Sequence, residues 1–154
     1  MMNLRGECLC GGVKYEYNGE TGPVINCHCN ECRKWHGSAY RTRTVGKKAN
    51  FSWLSGEENV AFYDRLPNVI KTFCKICGSN LISLYKDNEG FIGLPLGAVE
   101  IVDSMKKAEQ IELLKPSYHV YVDYKADWHD ITDNLPQYKE LPDEISSIHK
   151  LKQD

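Results

Sequence analysis

Short stretches in which apolar and polar residues alternate recur along the 154-residue chain. In one of the clearest, Val13, Tyr15 and Tyr17 alternate with Lys14 and Glu16, and glycines lie on both sides. Side chains two residues apart on a strand face the same side of a sheet, so this alternation predicts a half-buried β-strand. Similar patterns predict further strands over residues 40–45, 51–53, 59–63, 69–73, 81–85, 91–96 and 119–122.

Helical patterns are few by comparison. Residues 29–36 are long enough for one or two turns, and residues 104–114 are ambiguous. Residues 142–150 predict a short terminal helix, because a proline opens the segment and acidic residues fill its first turn. We therefore predict a mainly β protein of antiparallel strands. It has one domain over residues 1–140 and a short C-terminal helix or tail over residues 141–154.

The composition narrows the class of protein. Hydrophobic residues make up 42% of the chain and charged residues 26%, which is ordinary for a globular domain. The first residues lack the apolar core of a secretory signal, and no apolar stretch approaches the roughly 18 residues of a membrane span. All seven cysteines lie between Cys8 and Cys77, and a disulfide framework would leave one over. We therefore expect a cytoplasmic protein without a membrane partner, whose cysteines are metal ligands or reactive thiols.

The cysteines fall into three groups: Cys8 and Cys10; Cys27, Cys29 and Cys32; and Cys74 and Cys77. A C-x-x-C followed by glycine, as at residues 74–78, is typical of a zinc knuckle, and a structural zinc needs four ligands. The C-x-C of the first group is the natural source of the other two, because strand residues two apart face the same side. We expect these four thiolates to form a closed site that stabilises the fold.

The middle group has three cysteines and no obvious fourth ligand. Zinc with three protein ligands and one exchangeable position is the general form of a catalytic site. His28 or His36 would instead complete a second closed structural site, and the spacing alone leaves both alternatives open. Arg33, Lys34, Arg41 and Arg43 follow the group and can offset its negative charge or hold substrate carboxylates.

The order of these motifs resembles one protein family. GECLCGGVKY at residues 6–15, CHCNECRKWHGS at 27–38 and FCKICGSNL at 73–81 are similar to the glutathione-dependent formaldehyde-activating enzyme and centromere protein V family. HVYV, ADWHDI and LPQY within residues 116–138 resemble the end of that family's domain, so the similarity covers about residues 4–140. One departure is Asp127, which stands where the family often has a proline before Trp128.

The resemblance implies a fold, two metal sites and a reaction. It implies a β-tent fold of small antiparallel sheets around a structural zinc, whose ligands are Cys8, Cys10, Cys74 and Cys77. It also implies a second, labile zinc held by Cys27, Cys29 and Cys32. The family's activity is the addition of glutathione to formaldehyde, a carbon–sulfur lyase reaction that gives S-hydroxymethylglutathione.

These observations predict a zinc-dependent carbon–sulfur lyase acting on adducts of glutathione, or a similar thiol, with formaldehyde or another small aldehyde. We expect the labile site, Cys27, Cys29 and Cys32, to be catalytic. Arg33, Lys34 and Arg41 are candidates for binding substrate carboxylates, and Ser38 for the developing alkoxide. The alternative is a non-catalytic, zinc-stabilised module that binds protein or nucleic acid. The net charge of −2 and the absence of a basic tail argue against nucleic acid.

Overall fold

The computed structural model describes residues 1–143, which form two β-sheets and two short helices. The first sheet has four strands in the order β10-β1-β2-β5, with bounds β1 Met2–Glu7, β2 Lys14–Gly19, β5 Phe51–Ser55 and β10 Val99–Ile101. The second sheet has eight strands in the order β12-β11-β3-β4-β9-β8-β7-β6. Their bounds are β3 Ile25–Cys27, β4 Arg41–Lys47, β6 Val60–Tyr63, β7 Val69–Cys74, β8 Asn80–Tyr85, β9 Phe91–Pro95, β11 Tyr118–Val120 and β12 Gln137–Tyr138. The prediction of a mainly β protein with little helix is confirmed.

Most neighbouring strands are antiparallel, and for pairs such as β1–β2 and β7–β8 the short connection between the strands requires it. One edge of the larger sheet differs, because β11 pairs in parallel with both β3 and β12. The chain leaves β3 at Cys27 and returns only at Tyr118, and a connection of that length allows a parallel return. The parallel edge was not expected from the sequence pattern, which marks strands but not their partners.

The main core lies where the two sheets face each other. Tyr15 and Tyr17 of β2 are fully buried, in accordance with the alternation in the sequence, and they pack with Leu81, Ile92 and other side chains of the larger sheet. Glycines make room for the tyrosine rings. A Cβ atom at Gly6 would lie 2.1 Å from Tyr15, and one at Gly46 would lie 2.5 Å from Tyr17.

The two helices are α1 Asn30–His36 and α2 Lys107–Leu113. The ambiguous segment 104–114 is therefore helical over most of its length. The terminal helix predicted over residues 142–150 lies outside the described residues apart from its first two positions. No helix within residues 1–143 is long and apolar enough to cross a membrane.

Candidate metal centres and the cavity beside them

The structure brings the first and third cysteine groups together into one cluster, the four-cysteine site of Cys8, Cys10, Cys74 and Cys77. The four Sγ atoms lie within 4.8 Å of one another. The Sγ atoms of Cys8 and Cys10 are 3.5 Å apart, and those of Cys10 and Cys74 are 3.9 Å apart. Thiolates around a tetrahedral zinc, each about 2.3 Å from the metal, are separated by about 3.8 Å. The cluster therefore has the dimensions of a four-thiolate metal site.

The first half of the four-cysteine site, Cys8 and Cys10, lies on a turn rather than on a strand. β1 ends at Glu7, so Cys8 and Cys10 do not lie on a strand, and the reason given for their pairing is wrong. The Gly11 N–H donates to the Cys8 carbonyl, just as the Gly78 N–H donates to the Cys74 carbonyl. Both glycines have positive φ, which an L side chain adopts only with strain.

Ser79 joins the two turns. Its hydroxyl oxygen accepts the Leu9 N–H at 2.8 Å, and the same hydroxyl lies 3.2 Å from Cys77 Sγ. Hydrogen bonds from the Ser79 hydroxyl and backbone lower the pKa of Cys77 to about 5, which favours the thiolate form that metals bind. The Val13 N–H also donates to Cys8 Sγ at 3.2 Å. These bonds orient the sulfur atoms around a common centre.

The middle group forms the second cluster, the three-cysteine site. Cys27 ends β3, Cys29 caps the N-terminus of α1, and Cys32 lies in the first turn of that helix. The three Sγ atoms lie within 4.8 Å of one another. Cys29 Sγ accepts the Cys32 N–H at 3.4 Å, so the same sulfur caps the helix. Hydrogen bonds from Cys27 and Cys29 lower the pKa of Cys32, so the cluster readily holds a thiolate.

Neither histidine considered as a fourth ligand belongs to the three-cysteine site, whose cluster contains cysteines alone. His36 accepts a hydrogen bond at Nδ1 from the Asn80 amide, 2.9 Å away. His28 is fully buried and contacts His119, with 2.8 Å between His28 Nε2 and His119 Nδ1. The described side chains therefore leave one coordination position of a tetrahedral ion without a protein ligand.

A chain of hydrogen bonds fixes the orientation of His28. His119 Nε2 donates to the carboxylate of Asp133 at 2.9 Å, which leaves His119 Nδ1 as an acceptor. His28 Nε2 therefore carries the proton, and burial together with His119 lowers the pKa of His28 to about 4. The chain holds the loop between Cys27 and Cys29, and it indicates a positioning role for the three side chains.

A cavity of about 430 Å³ opens onto the three-cysteine site. We call it the cysteine cavity. Besides the cysteines, its lining carries three cations and three tyrosines, namely Arg41, Arg43, Lys71, Tyr85, Tyr121 and Tyr124. Arg41 and Lys71 are each only 4% exposed. Both arginines were candidates from the sequence because they follow the cysteine group. Lys71 was not, because it belongs to a strand that is distant in the sequence.

The remaining predicted site residues lie elsewhere. Arg33 donates to the Tyr124 carbonyl at 3.0 Å and to Asn30 Oδ1 at 2.7 Å, which fixes α1 to the segment after β11. Lys34 is exposed on α1 and does not line the cysteine cavity. Ser38 donates to the Tyr40 carbonyl and lines a separate cavity of about 710 Å³. Of the four predicted substrate-binding residues, only Arg41 lines the cysteine cavity, and it lines the second cavity as well.

Tyr121 is the one non-glycine residue with positive φ among those described, at φ 56°. Such a conformation costs about 1 kcal/mol or more and is found mainly at functional sites. Tyr121 lines the cysteine cavity, and burial raises the pKa of its hydroxyl. The strain therefore lies in the wall of the cavity rather than in a remote turn.

Both clusters fit a thiophilic metal ion such as zinc. Their donor atoms are all sulfur and lie within 4.8 Å of one another in each cluster, and Arg41 and Lys71 help to offset the negative charge of the three-cysteine site. The four-cysteine site has a complete ligand set, whereas the three-cysteine site opens onto a cavity. Fold and site together define a class, namely a mainly β protein with two cysteine clusters that can hold a metal ion, one of four sulfur atoms and one of three.

Comparison with known proteins identifies the family. The profile of the glutathione-dependent formaldehyde-activating enzymes matches residues 3–124, and the chain belongs to that family. An uncharacterized lyase of Schizosaccharomyces pombe is 29% identical over 89 residues. That alignment covers 58% of this chain and 63% of the relative, which is less than two thirds of its length.

Among solved structures, the crystal structure of a Rhodobacter sphaeroides protein is similar to the chain with a TM-score of 0.54. The alignment covers 66% of this chain and 93% of that protein, at 22% sequence identity. At this level of identity the similarity shows the fold alone.

Proposed function

We propose that the protein is a zinc-dependent carbon–sulfur lyase, acting on the adduct of glutathione, or a similar small thiol, with formaldehyde or another small aldehyde. The observation that carries the proposal is the cysteine cavity, which opens onto three cysteines that have no fourth ligand from the side chains of residues 1–143. Family membership and the relative described as a lyase support it. We propose residues 1–140 as the catalytic domain and the cytoplasm, where thiols stay reduced, as its compartment.

The residues of the chain supply binding and orientation for this reaction. Arg41 and Arg43 place cationic groups in the cavity, where they bind the carboxylates of a thiol such as glutathione. Cys27, Cys29 and Cys32 would hold the zinc, which would supply an exchangeable position for a substrate thiolate. Holding thiol and carbonyl together raises their effective concentration, which is what an addition between two small molecules needs.

Metal content measured with thiol competition tests the proposal. We expect two zinc ions per chain, of which excess glutathione removes one. Cys29→Ser should bind only one ion, and serine keeps the helix cap because it is a favoured N-cap residue. The rate of S-hydroxymethylglutathione formation, measured by exchange NMR with ¹³C-formaldehyde, should fall to the uncatalysed value in this variant.

Cys10→Ser is the comparison variant, since all seven cysteines belong to the two sites. It should lose the other ion and leave the three-cysteine site able to exchange with glutathione. Two ions that glutathione cannot remove, together with no acceleration for any pair of thiol and aldehyde, would contradict the proposal and favour the binding module.

A further inference from the structure

Lys71 is the buried charged group of the cysteine cavity that the mechanism above leaves unused. It lies on β7, is 4% exposed, and lines the cavity together with the three-cysteine site. No carboxylate within residues 1–143 lies within ion-pair distance of it, and no hydrogen bond to its amine is seen there. Lysine is almost never buried without a partner, because removing its charge from water is costly. Because burial without a partner costs free energy, the position of the amine indicates that it has a function.

Lys71 differs from the other two cations of the cavity in what it can give up. Arg41 and Arg43 stay charged at any ordinary pH, whereas a lysine can release its proton. Burial, reinforced by the nearby Arg41, lowers the pKa of Lys71 to about 8, while the Cys32 thiolate and Glu31 act in the opposite direction. Near neutral pH the amine is therefore mostly protonated, and its proton is easily lost.

Addition of a thiolate to an aldehyde creates a need for such a group. The sulfur forms a bond to the carbonyl carbon, and the electron pair of the C=O π bond moves to the oxygen as an alkoxide. The alkoxide must then gain a proton to become the hydroxyl of the product. In the reverse direction, the same hydroxyl must lose its proton before the carbon–sulfur bond breaks.

We propose that Lys71 is a catalytic residue of this addition, donating a proton from its ammonium group to the carbonyl oxygen as the carbon–sulfur bond forms. The inference rests on the proposed function and adds the acid–base partner to it. The proton passes from Lys71 Nζ to the alkoxide, leaving a neutral amine that water reprotonates. In the reverse reaction the neutral amine takes the hydroxyl proton. No oxidant or further reactant is needed, and Arg41 and Arg43 remain charged throughout.

The tyrosines of the cavity are the other proton donors within reach. A phenol and an ammonium group are acids of different strength, so a tyrosine acid and a lysine acid differ in the pH at which activity is lost. A lysine with its pKa near 8 predicts that the catalysed rate falls above pH 8. The ammonium group also stabilises the alkoxide by its charge, which a neutral phenol cannot do.

The experiment compares Lys71→Arg, Lys71→Met and Tyr85→Phe with wild type by exchange NMR, after subtraction of the uncatalysed rate at each pH. Lys71→Arg keeps the positive charge but cannot release a proton. We expect turnover at pH 7 to fall about 10²-fold in both Lys71 variants, the usual size of a general-acid contribution. The decrease in the catalysed rate above pH 8 should disappear in Lys71→Arg and remain in Tyr85→Phe.

Two further measurements separate catalysis from structure. Zinc content should stay at the wild-type value in both Lys71 variants, and affinity for S-methylglutathione, which cannot donate a thiolate, should change less than threefold in Lys71→Arg. Lys71→Met removes the amine with a side chain of similar length, so it tests the same role if the larger arginine side chain does not fit. Lys14→Met is the matched control, because Lys14 is exposed and pairs with Glu7 outside the cavity.

Turnover of Lys71→Arg within threefold of wild type, or an unchanged fall above pH 8, would overturn the role of Lys71 and leave the proposed function standing. If the decrease in rate above pH 8 disappeared in Tyr85→Phe alone, Tyr85 would be the proton donor. That result would also overturn the role of Lys71. A wild-type protein that accelerates no pair of thiol and aldehyde would contradict the proposed function, and the inference would fall with it.

Discussion

Two histidines show how similar residues near a cysteine cluster come to have different roles. The sequence places His28 within the cysteine group and His36 shortly after it, and it leaves both open as a fourth ligand. His28 is held in the hydrogen-bond chain that ends at Asp133, and His36 is held by Asn80. One ring nitrogen of each is thus bonded to another side chain, and neither histidine belongs to the cluster of three cysteines.

His36 gives a prediction at the residue scale. Burial, with a contribution from Arg41, lowers its pKa to about 4, whereas an exposed histidine titrates near 6.5. Between those values the unfolded chain binds a proton that the folded chain does not, so stability falls as the pH drops from 6.5 to 4. We expect the melting temperature of wild type to decrease more than that of His36→Asn as the pH drops over this interval.

Asparagine suits this comparison because its amide oxygen can take the place of Nδ1 as acceptor for Asn80. Acid also weakens metal binding, but it does so in both proteins. The difference between their melting temperatures therefore does not contain that effect. Parallel melting curves from pH 6.5 to 4 would contradict the prediction.

At the scale of elements, β4 serves both the site and the core. Arg41 and Arg43, two residues apart on this strand, line the cysteine cavity. Near the other end of the strand, Gly46 lies against the ring of Tyr17 from the four-stranded sheet, and the Lys47 N–H donates to the Tyr17 hydroxyl at 3.1 Å. The cationic wall of the cavity is therefore fixed by packing between the sheets.

Gly46→Ala tests this packing. The added methyl group would lie 2.5 Å from the Tyr17 ring, which must then move in a close-packed core. Overpacking of this kind costs about 1–3 kcal/mol, and we expect the free energy of unfolding in urea to fall by about 2 kcal/mol. Gly97→Ala is the control, since a Cβ atom there meets nothing within 4 Å, and a change above about 0.5 kcal/mol would be unexpected. Equal effects of the two substitutions would contradict the argument.

At the scale of the whole molecule, the four-cysteine site connects the two sheets. Cys8 follows β1 of the smaller sheet, and Cys74 ends β7 of the larger one. Both side chains belong to the main hydrophobic core. A metal held by this site would therefore fasten the two layers, and its binding free energy would count toward folding. The three-cysteine site lies in a separate, smaller cluster of buried residues.

We expect the two sites to differ in their effect on stability. Cys10→Ser should lower the melting temperature by about 10 °C or more, which for a chain of this size corresponds to several kcal/mol. Cys10 is exposed, so the loss reports the metal rather than a cavity in the core. Cys29→Ser should lower the melting temperature by only a few degrees. The comparison is made by differential scanning calorimetry, and equal losses in the two variants would contradict a structural role confined to the four-cysteine site.

Much of this arrangement could be predicted from local signals. The alternation around Tyr15 predicts a strand because its period matches the pleat. Gly78 predicts a turn because glycine readily adopts positive φ, as it does in the structure. Lys71 could not be found in this way. Its neighbours in the sequence are those of an ordinary strand, and its burial arises only when β7 packs beside the cysteine cavity.

The sequence by itself determined the mainly β class, the strands with clear alternation, and the three local groups of cysteines. These follow from side-chain period and ligand spacing, which are local properties. Tertiary structure decided the parallel pairing of β11, the turn geometry at Cys8, the removal of His28 and His36 from the open site, and the burial of Lys71. Each of these depends on contacts between residues far apart in the chain, and local patterns do not record such contacts.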